Sequence, residues 1–197
     1  MPEISELVKK SAMAIALYET VTDIPAYLEK YQTGVDFFEL AEKTASPDVH
    51  DLFSMLSKDE NGNGQPDGII PKEVYDEAMT VHRPALIELY KNYFEAQKVD
   101  AIVFPTTILP AGPIEGSVKT VEHNGQQLPT FETYIRNTEP STIAGLPGIT
   151  LPIGLTEAGL PLAIELDAAA GNDDHLLAIA LAVEPLFDKL PAPILET

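Results

Sequence analysis

Apolar positions recur at helical spacing along most of the first half of the chain and at strand spacing along the second. In "ISELVKKSAMAIALYET", residues 4 to 20, Ile4, Leu7, Val8, Ala12, Ile15, Ala16 and Tyr18 lie near a 3.6-residue period, which predicts an amphipathic helix. A second helix is expected over "DIPAYLEKYQ", and a short one after Ser46, where Pro47 occupies a first helical position and Asp48 the first turn. Residues 71 to 97 repeat the pattern through Val74, Ala78, Val81, Leu86, Leu89, Tyr90 and Tyr93. Pro84 is expected to kink or break that helix, because it has no amide hydrogen and clashes with the preceding turn.

The period then shortens. "DAIVFPTT" is a β-branched run ended by Pro105 and predicts a buried strand. "KTVEHNGQQLPTF" predicts a hairpin, with Asn124-Gly125 supplying the positive φ angles of a tight primed turn. Residues 148 to 155 and 161 to 166 predict two more strands joined by "TEAG", followed by a helix over "NDDHLLAIALAVEPLFDKL" capped by Asp173 or Asp174. Helices leading into strands indicate an α/β architecture, read here as one unit over residues 1–197, mainly helical in 1–98 and strand-rich in 99–197. Pro147 and Pro152 place their strand at a sheet edge or against a cavity, since proline cannot donate to a central ladder. Ala144, Gly145 and Gly148 would let backbone or a ligand come close, and a cramped edge with no binding role accounts for them equally well.

Composition narrows the function. The 197 residues are 45% hydrophobic and 22% charged, as expected of a folded chain. With 31 acidic against 12 basic residues, the net charge of −19 disfavours nucleic acid and anionic membranes as partners. There is no cysteine, which excludes disulfides, thiolate metal sites and a cysteine nucleophile. "SAMAIALYETV" is too short to span a bilayer and too polar in its flanks for a secretory signal, so a cytoplasmic location is the default expectation.

The segments "VDAIVFPTTILPAGP", "NTEPSTIAGLPGITLPIGLTEAGLPLAIEL" and "HLLAIALAVE", in that order, resemble the C-terminal half of the amidase signature family, near its mandelamide and indoleacetamide hydrolase branch. "IALYE", "IPAYL", "ASPDV", "RPAL" and "YIRNTEP" extend the resemblance toward the N-terminus, leaving only the loop near residues 59 to 69 outside it. The resemblance implies a mixed β-sheet sandwiched by helices and hydrolysis of linear amides by a Ser-cisSer-Lys triad, with backbone amides holding the oxyanion.

That triad belongs to the family's N-terminal half. The serines here are Ser5, Ser11, Ser46, Ser54, Ser57, Ser117 and Ser141; none lies in a Gly-rich loop, and no lysine precedes such a loop. The expectation is the second half of an amidase for small aryl amides whose first half is missing, truncated or carried on another chain. Its expected partner is therefore an N-terminal half, or a second copy covering the exposed sheet. No cofactor is required by this chemistry. The resemblance implies substrate contacts from Thr106, Thr107, Thr138, Pro140 and Thr142, the last standing where many relatives carry Asn. The alternative for these threonines is that they satisfy local backbone groups.

His50, His82, His123 and His175 show no zinc spacing. "DENGNGQPDGII" does carry a calcium-loop pattern: Asp59, Asn61, Asn63, Gln65 and Asp67 alternate as candidate oxygen ligands around Gly64, but Ile70 stands where the bidentate Glu belongs. A structural Ca²⁺ there, or a plain polar loop, are the two readings. With calcium, the chain is alternatively a non-catalytic binding or assembly module.

Overall fold

The computed structural model describes residues 3–62 and 64–192. They fall into two compact units, residues 1–85 and 86–197, and the division lies inside a helix. Among the described residues every strand follows that helix, as the change of period anticipates.

The first unit is helical: α1 (Glu3–Lys30), α2 (Phe37–Lys43), α3 (Pro47–Leu56) and α4 (Lys72–Glu77). Where the sequence predicts two helices with a break after residue 20, α1 is continuous and carries Pro25 inside it. The reason is one shared face. Leu17, Val21 and Ile24 stand at i, i+4 and i+7 and enter a single core with Phe37 and Leu56. That burial outweighs the roughly 3 kcal/mol that an interior proline costs a helix. A stacked pair, Tyr18 on Tyr75 with centroids 4.1 Å apart, and a 2.9 Å hydrogen bond from the Tyr75 hydroxyl to Glu19 join α1 to α4.

Pro84 neither breaks nor ends its helix. A π-helical turn, Ala78–His82, follows α4 directly and leads into α5 (Arg83–Gln97). Arg83 N–H bonds the carbonyl of Ala78, five residues back, so the ladder has widened just before the ring arrives.

The second unit holds β1 (Ile102–Pro105), a hairpin of β2 (Thr120–His123) and β3 (Gln126–Pro129), short helices α6 (Thr130–Ile135) and α7 (Glu139–Ala144), then β4 (Gly148–Leu155), β5 (Pro161–Asp167) and α8 (Asp173–Val183). Asn124 and Gly125 both have positive φ, 51° and 78°, as the hairpin turn requires. Asn172, not Asp173 or Asp174, occupies the cap position of α8; the two aspartates fill its first turn, where the helix dipole favours them.

β1, β5 and β4 form an antiparallel sheet in that order, with β5 central. Strand β1 is therefore an edge rather than the buried strand the run of apolar residues suggests, and Val103 is 60% exposed. Thr106 N–H bonds the carbonyl of Ala163, whereas Ala168 N–H bonds that of Pro147. By alternation, residues 163, 165 and 167 direct their backbone groups at β1, and Gly148, Thr150 and Pro152 direct theirs away from β5. Pro152 thus deprives the ladder of nothing, and a register shift between Pro152 and Gly154 bends the same edge. One face of the sheet presents Leu151 and Leu166 to Leu176 and Ala180 of α8. Near the other face, Tyr90 of α5 and Ser141 of α7 approach Asp167.

Candidate functional site

The face of the sheet opposite α8 ends in a concavity of about 510 Å³ lined by Thr106, Thr107, Thr150, Pro152, Ile153 and Ala163 among others. Thr106, Pro152 and Ala163 form one row across the three strands, continued from the register of β1, β5 and β4. The walls are aliphatic, and the polar groups within them are few, as in sites that bind small organic molecules.

Thr106 is placed by the end of β1. Its N–H is held at 3.2 Å by Ala163, while its Oγ1 is buried and has no hydrogen-bond partner among the described residues. A buried hydroxyl without a partner costs free energy, which a bound polar group would relieve. Thr107 differs, since its Oγ1 already donates to the carbonyl of Leu109 at 2.7 Å and shapes the turn of the wall.

The remaining sequence candidates do not line this concavity. Thr138 Oγ1 donates to Ile135 at 3.2 Å, and Thr142 Oγ1 to Thr138 at 2.8 Å. Pro140 sits in the first turn of α7, where its missing amide hydrogen is harmless. Thr138 and Thr142 thus bond local backbone carbonyls, the other reading the sequence leaves open. Gly145, at φ 72°, ends the same helix.

Sequence reasoning missed Asn137. Its Nδ2 donates at 2.7 Å to the carbonyl of Pro105, joining the start of α7 to the end of β1. The quoted "RNTEP" contains it, but nothing in the spacing points 32 residues back along the chain. A second concavity, about 440 Å³, lies beside the first against the β2–β3 hairpin and shares Leu109 and Pro110 with it. Tyr134 closes one side through a 2.8 Å hydrogen bond from its hydroxyl to Pro110.

Each histidine has a local partner. His82 Nε2 lies 3.3 Å from Glu77, His175 Nε2 is 3.1 Å from Asp100, His50 Nδ1 is 3.1 Å from the carbonyl of Ala41, and His123 Nε2 is 3.1 Å from Asn124. Ser141 is 2% exposed and donates to Thr138, so it is not presented as a nucleophile.

In the loop of residues 59 to 67, Asp59 Oδ2 accepts from Gly64 N–H at 2.8 Å, and Asp67 Oδ2 from Glu60 N–H at 2.7 Å. Asn61 turns its amide nitrogen to the other oxygen of Asp67, and this bond and the Glu60 amide hold the Asp67 carboxyl below its ordinary range. Gln65 is exposed on the same loop, and Asn63 lies outside the described residues. Among the described residues no three His, Asp or Glu side chains are grouped so as to hold a metal.

Residues 1–177 match the model of the Amidase family, and the chain belongs to that family. It is 40% identical over 185 residues to the indoleacetamide hydrolase of Agrobacterium tumefaciens (strain Ach5), covering 93% of this chain and 38% of the relative. It is 34% identical over 195 residues to the mandelamide hydrolase of Pseudomonas putida, covering 98% of this chain and 37% of the relative. The chain thus spans less than half the length of the curated relatives it matches. Among solved structures, an amidase aligns with a TM-score of 0.59 at 23% identity, over 90% of this chain and 37% of its own. A bacterial aryl acylamidase of the amidase signature family aligns with a TM-score of 0.59 at 14% identity, over 92% and 34%. Those likenesses fix the fold: helices against a sheet, as in the amidase signature enzymes. Among the described residues no helix is long and apolar enough to cross a membrane.

Proposed function

We propose that this chain is the C-terminal, substrate-shaping part of an amidase for small linear amides bearing an aryl group, and that the N-terminal half of such an amidase supplies the Ser-cisSer-Lys machinery. The observation that carries this reading is kinship along nearly the whole chain with two hydrolases whose names specify an amide beside an aromatic group. Thr106 is the residue of this chain that fits such a ligand best. Its partnerless Oγ1 is buried in this conformation, and a turn about χ1 would bring it to the amide, while the aliphatic wall of Ile153 and Pro152 accepts a flat ring.

The role asked of these residues is orientation. Holding the amide at a fixed position against a nucleophile contributed from elsewhere converts an encounter into a positioned reaction. Attack on the carbonyl carbon, proton relay to the leaving ammonia and oxyanion stabilisation all fall to the N-terminal half. The outer edges of β1 and β4 pair with no strand among the described residues.

The test is ammonia release from mandelamide and indoleacetamide by the purified chain alone and after mixing with the N-terminal half of a related amidase. Activity in the mixture alone supports the proposal. Activity in the chain alone would overturn the division of labour, and silence in both would favour a binding or assembly role.

A further inference from the structure

Independently of that reading, the centre of the sheet contains two acidic side chains that do no evident work in binding. Glu165 and Asp167 are two apart on β5 and therefore share a face, the one opposite α8. They are 9% and 1% exposed. Both converge over Gly148 of the neighbouring strand, where a Cβ would lie 2.7 Å from Asp167 Oδ1 and 3.1 Å from Glu165 Oε1. Gly148 is extended, so no demand of the turn explains a glycine there. The space over it is filled by carboxyl oxygen.

The surroundings offer no cation among the described residues. Thr150 of β4 stands opposite Glu165, and Asp167 Oδ1 is buried with no hydrogen-bond partner among the described residues. Phe104 and Ile102 stand opposite them on β1. From α5, Tyr90 is the further titratable group, and its hydroxyl is pushed up to about 12 by burial and by the charge of Asp167. No lysine, arginine or histidine acts on either carboxyl among the described residues. Two ionised carboxylates that converge on one buried point without a cation repel each other, so the pair retains a proton.

We propose that Glu165 and Asp167 share one proton over Gly148, and that this protonated pair is a pH-sensitive latch between β4 and β5. Glu165 holds the proton: burial first, and then the charge of Asp167, favour its neutral form, while burial raises Asp167 as well. The sign follows from linkage. Both folded-state values lie above those of an unfolded chain, so the contribution of the pair is complete below the ordinary carboxyl range, near about pH 4, and is lost as pH rises through the folded values. Losing the proton leaves two buried negative charges side by side, and the junction of β4 with β5 loosens.

The experiment compares urea midpoints of the full chain and of E165Q from about pH 5 to about pH 9, a window above the ordinary carboxyl range. The Gln amide keeps the donor and cannot ionise, so the midpoint of the wild type should fall with pH relative to that of E165Q. Parallel curves would overturn the proposal. Carbon-13 titration of the wild type provides a second readout that needs no variant. The Glu165 side-chain carboxyl carbon, assigned through its own backbone, should titrate well above the other glutamates, and titration among them would equally overturn it.

Discussion

Asn137 and Pro105 meet 2.7 Å apart, the side-chain amide of one donating to the backbone carbonyl of the other. Pro105 opposes Ile164, a pair whose backbone groups point away from each other, so this carbonyl faces outward from the edge of β1. Asn137 therefore caps a sheet edge and, with the same bond, fixes the chain just before Thr106.

Replacing Asn137 with Ala should lower stability by about 1 kcal/mol, the ordinary net value of one such hydrogen bond. N137D should be at least as damaging at neutral pH, because an ionised carboxylate cannot donate and would face a carbonyl oxygen. Urea denaturation of both variants checks this. If N137A matches the wild type, the bond does not hold the edge.

Gly148→Ala should destabilise by about 1–3 kcal/mol, the usual cost of overpacking a filled site. The methyl group would approach Asp167 Oδ1 to 2.7 Å, and Asp167 is too buried to swing into solvent. Equilibrium unfolding of G148A checks this, and a midpoint equal to that of the wild type would mean that the carboxyl oxygens do not fill the space over Gly148.

In the first unit the decisive side chain is Leu56, which is fully buried beside Phe37 and Leu17. L56A should cost about 2–5 kcal/mol through lost transfer energy and a residual cavity. Exposed Met55, one residue earlier at 45% exposure, should tolerate the same change with an effect within about 0.5 kcal/mol. Similar losses for the two variants would mean that α3 does not pack as described.

How much of this was legible follows the range of the interaction that decides it. The β2–β3 turn is written in Asn124-Gly125, because positive φ is a local demand. The edge position of β4 is written in Pro152, because a missing donor excludes a central ladder. The continuity of α1 through Pro25 is not, since it depends on Phe37 and Leu56 meeting Leu17 from other helices. Within the candidate site, Thr106 and Thr107 line the concavity, whereas Thr138 bonds back to Ile135 at the end of α6 and Thr142 to Thr138 at the start of α7. Spacing alone cannot tell a hydroxyl aimed at a cavity from one that caps a turn.

The acidic loop offers a test by pH and by calcium. Asp67 is held below its ordinary range by Asn61 and the Glu60 amide, so its contribution to loop order is present above the unfolded carboxyl range and is lost as pH falls through the lowered value. D67N should open the loop at neutral pH and speed proteolysis at residues 59 to 67, with little change in global unfolding because the loop is exposed. Calcium titration of the wild type and D67N then decides the metal question. Heat on binding in the wild type alone would identify Asp67 as a ligand, and none in either would leave the loop a polar connection closed by its own hydrogen bonds.

Pro25 makes the sharpest prediction about α1. The ring removes one main-chain hydrogen bond and presses on the preceding turn, yet the helix runs from Glu3 to Lys30 without interruption. Changing it to Ala should recover much of the roughly 3 kcal/mol helix penalty. Part of that gain is offset, by about 1 kcal/mol or less, because the unfolded chain loses the restraint of the proline. P25A should therefore unfold at higher urea than the wild type. A lower midpoint would mean that the ring itself packs in a way alanine cannot replace, and that α1 is bent there by design of its core rather than continuous in spite of its sequence.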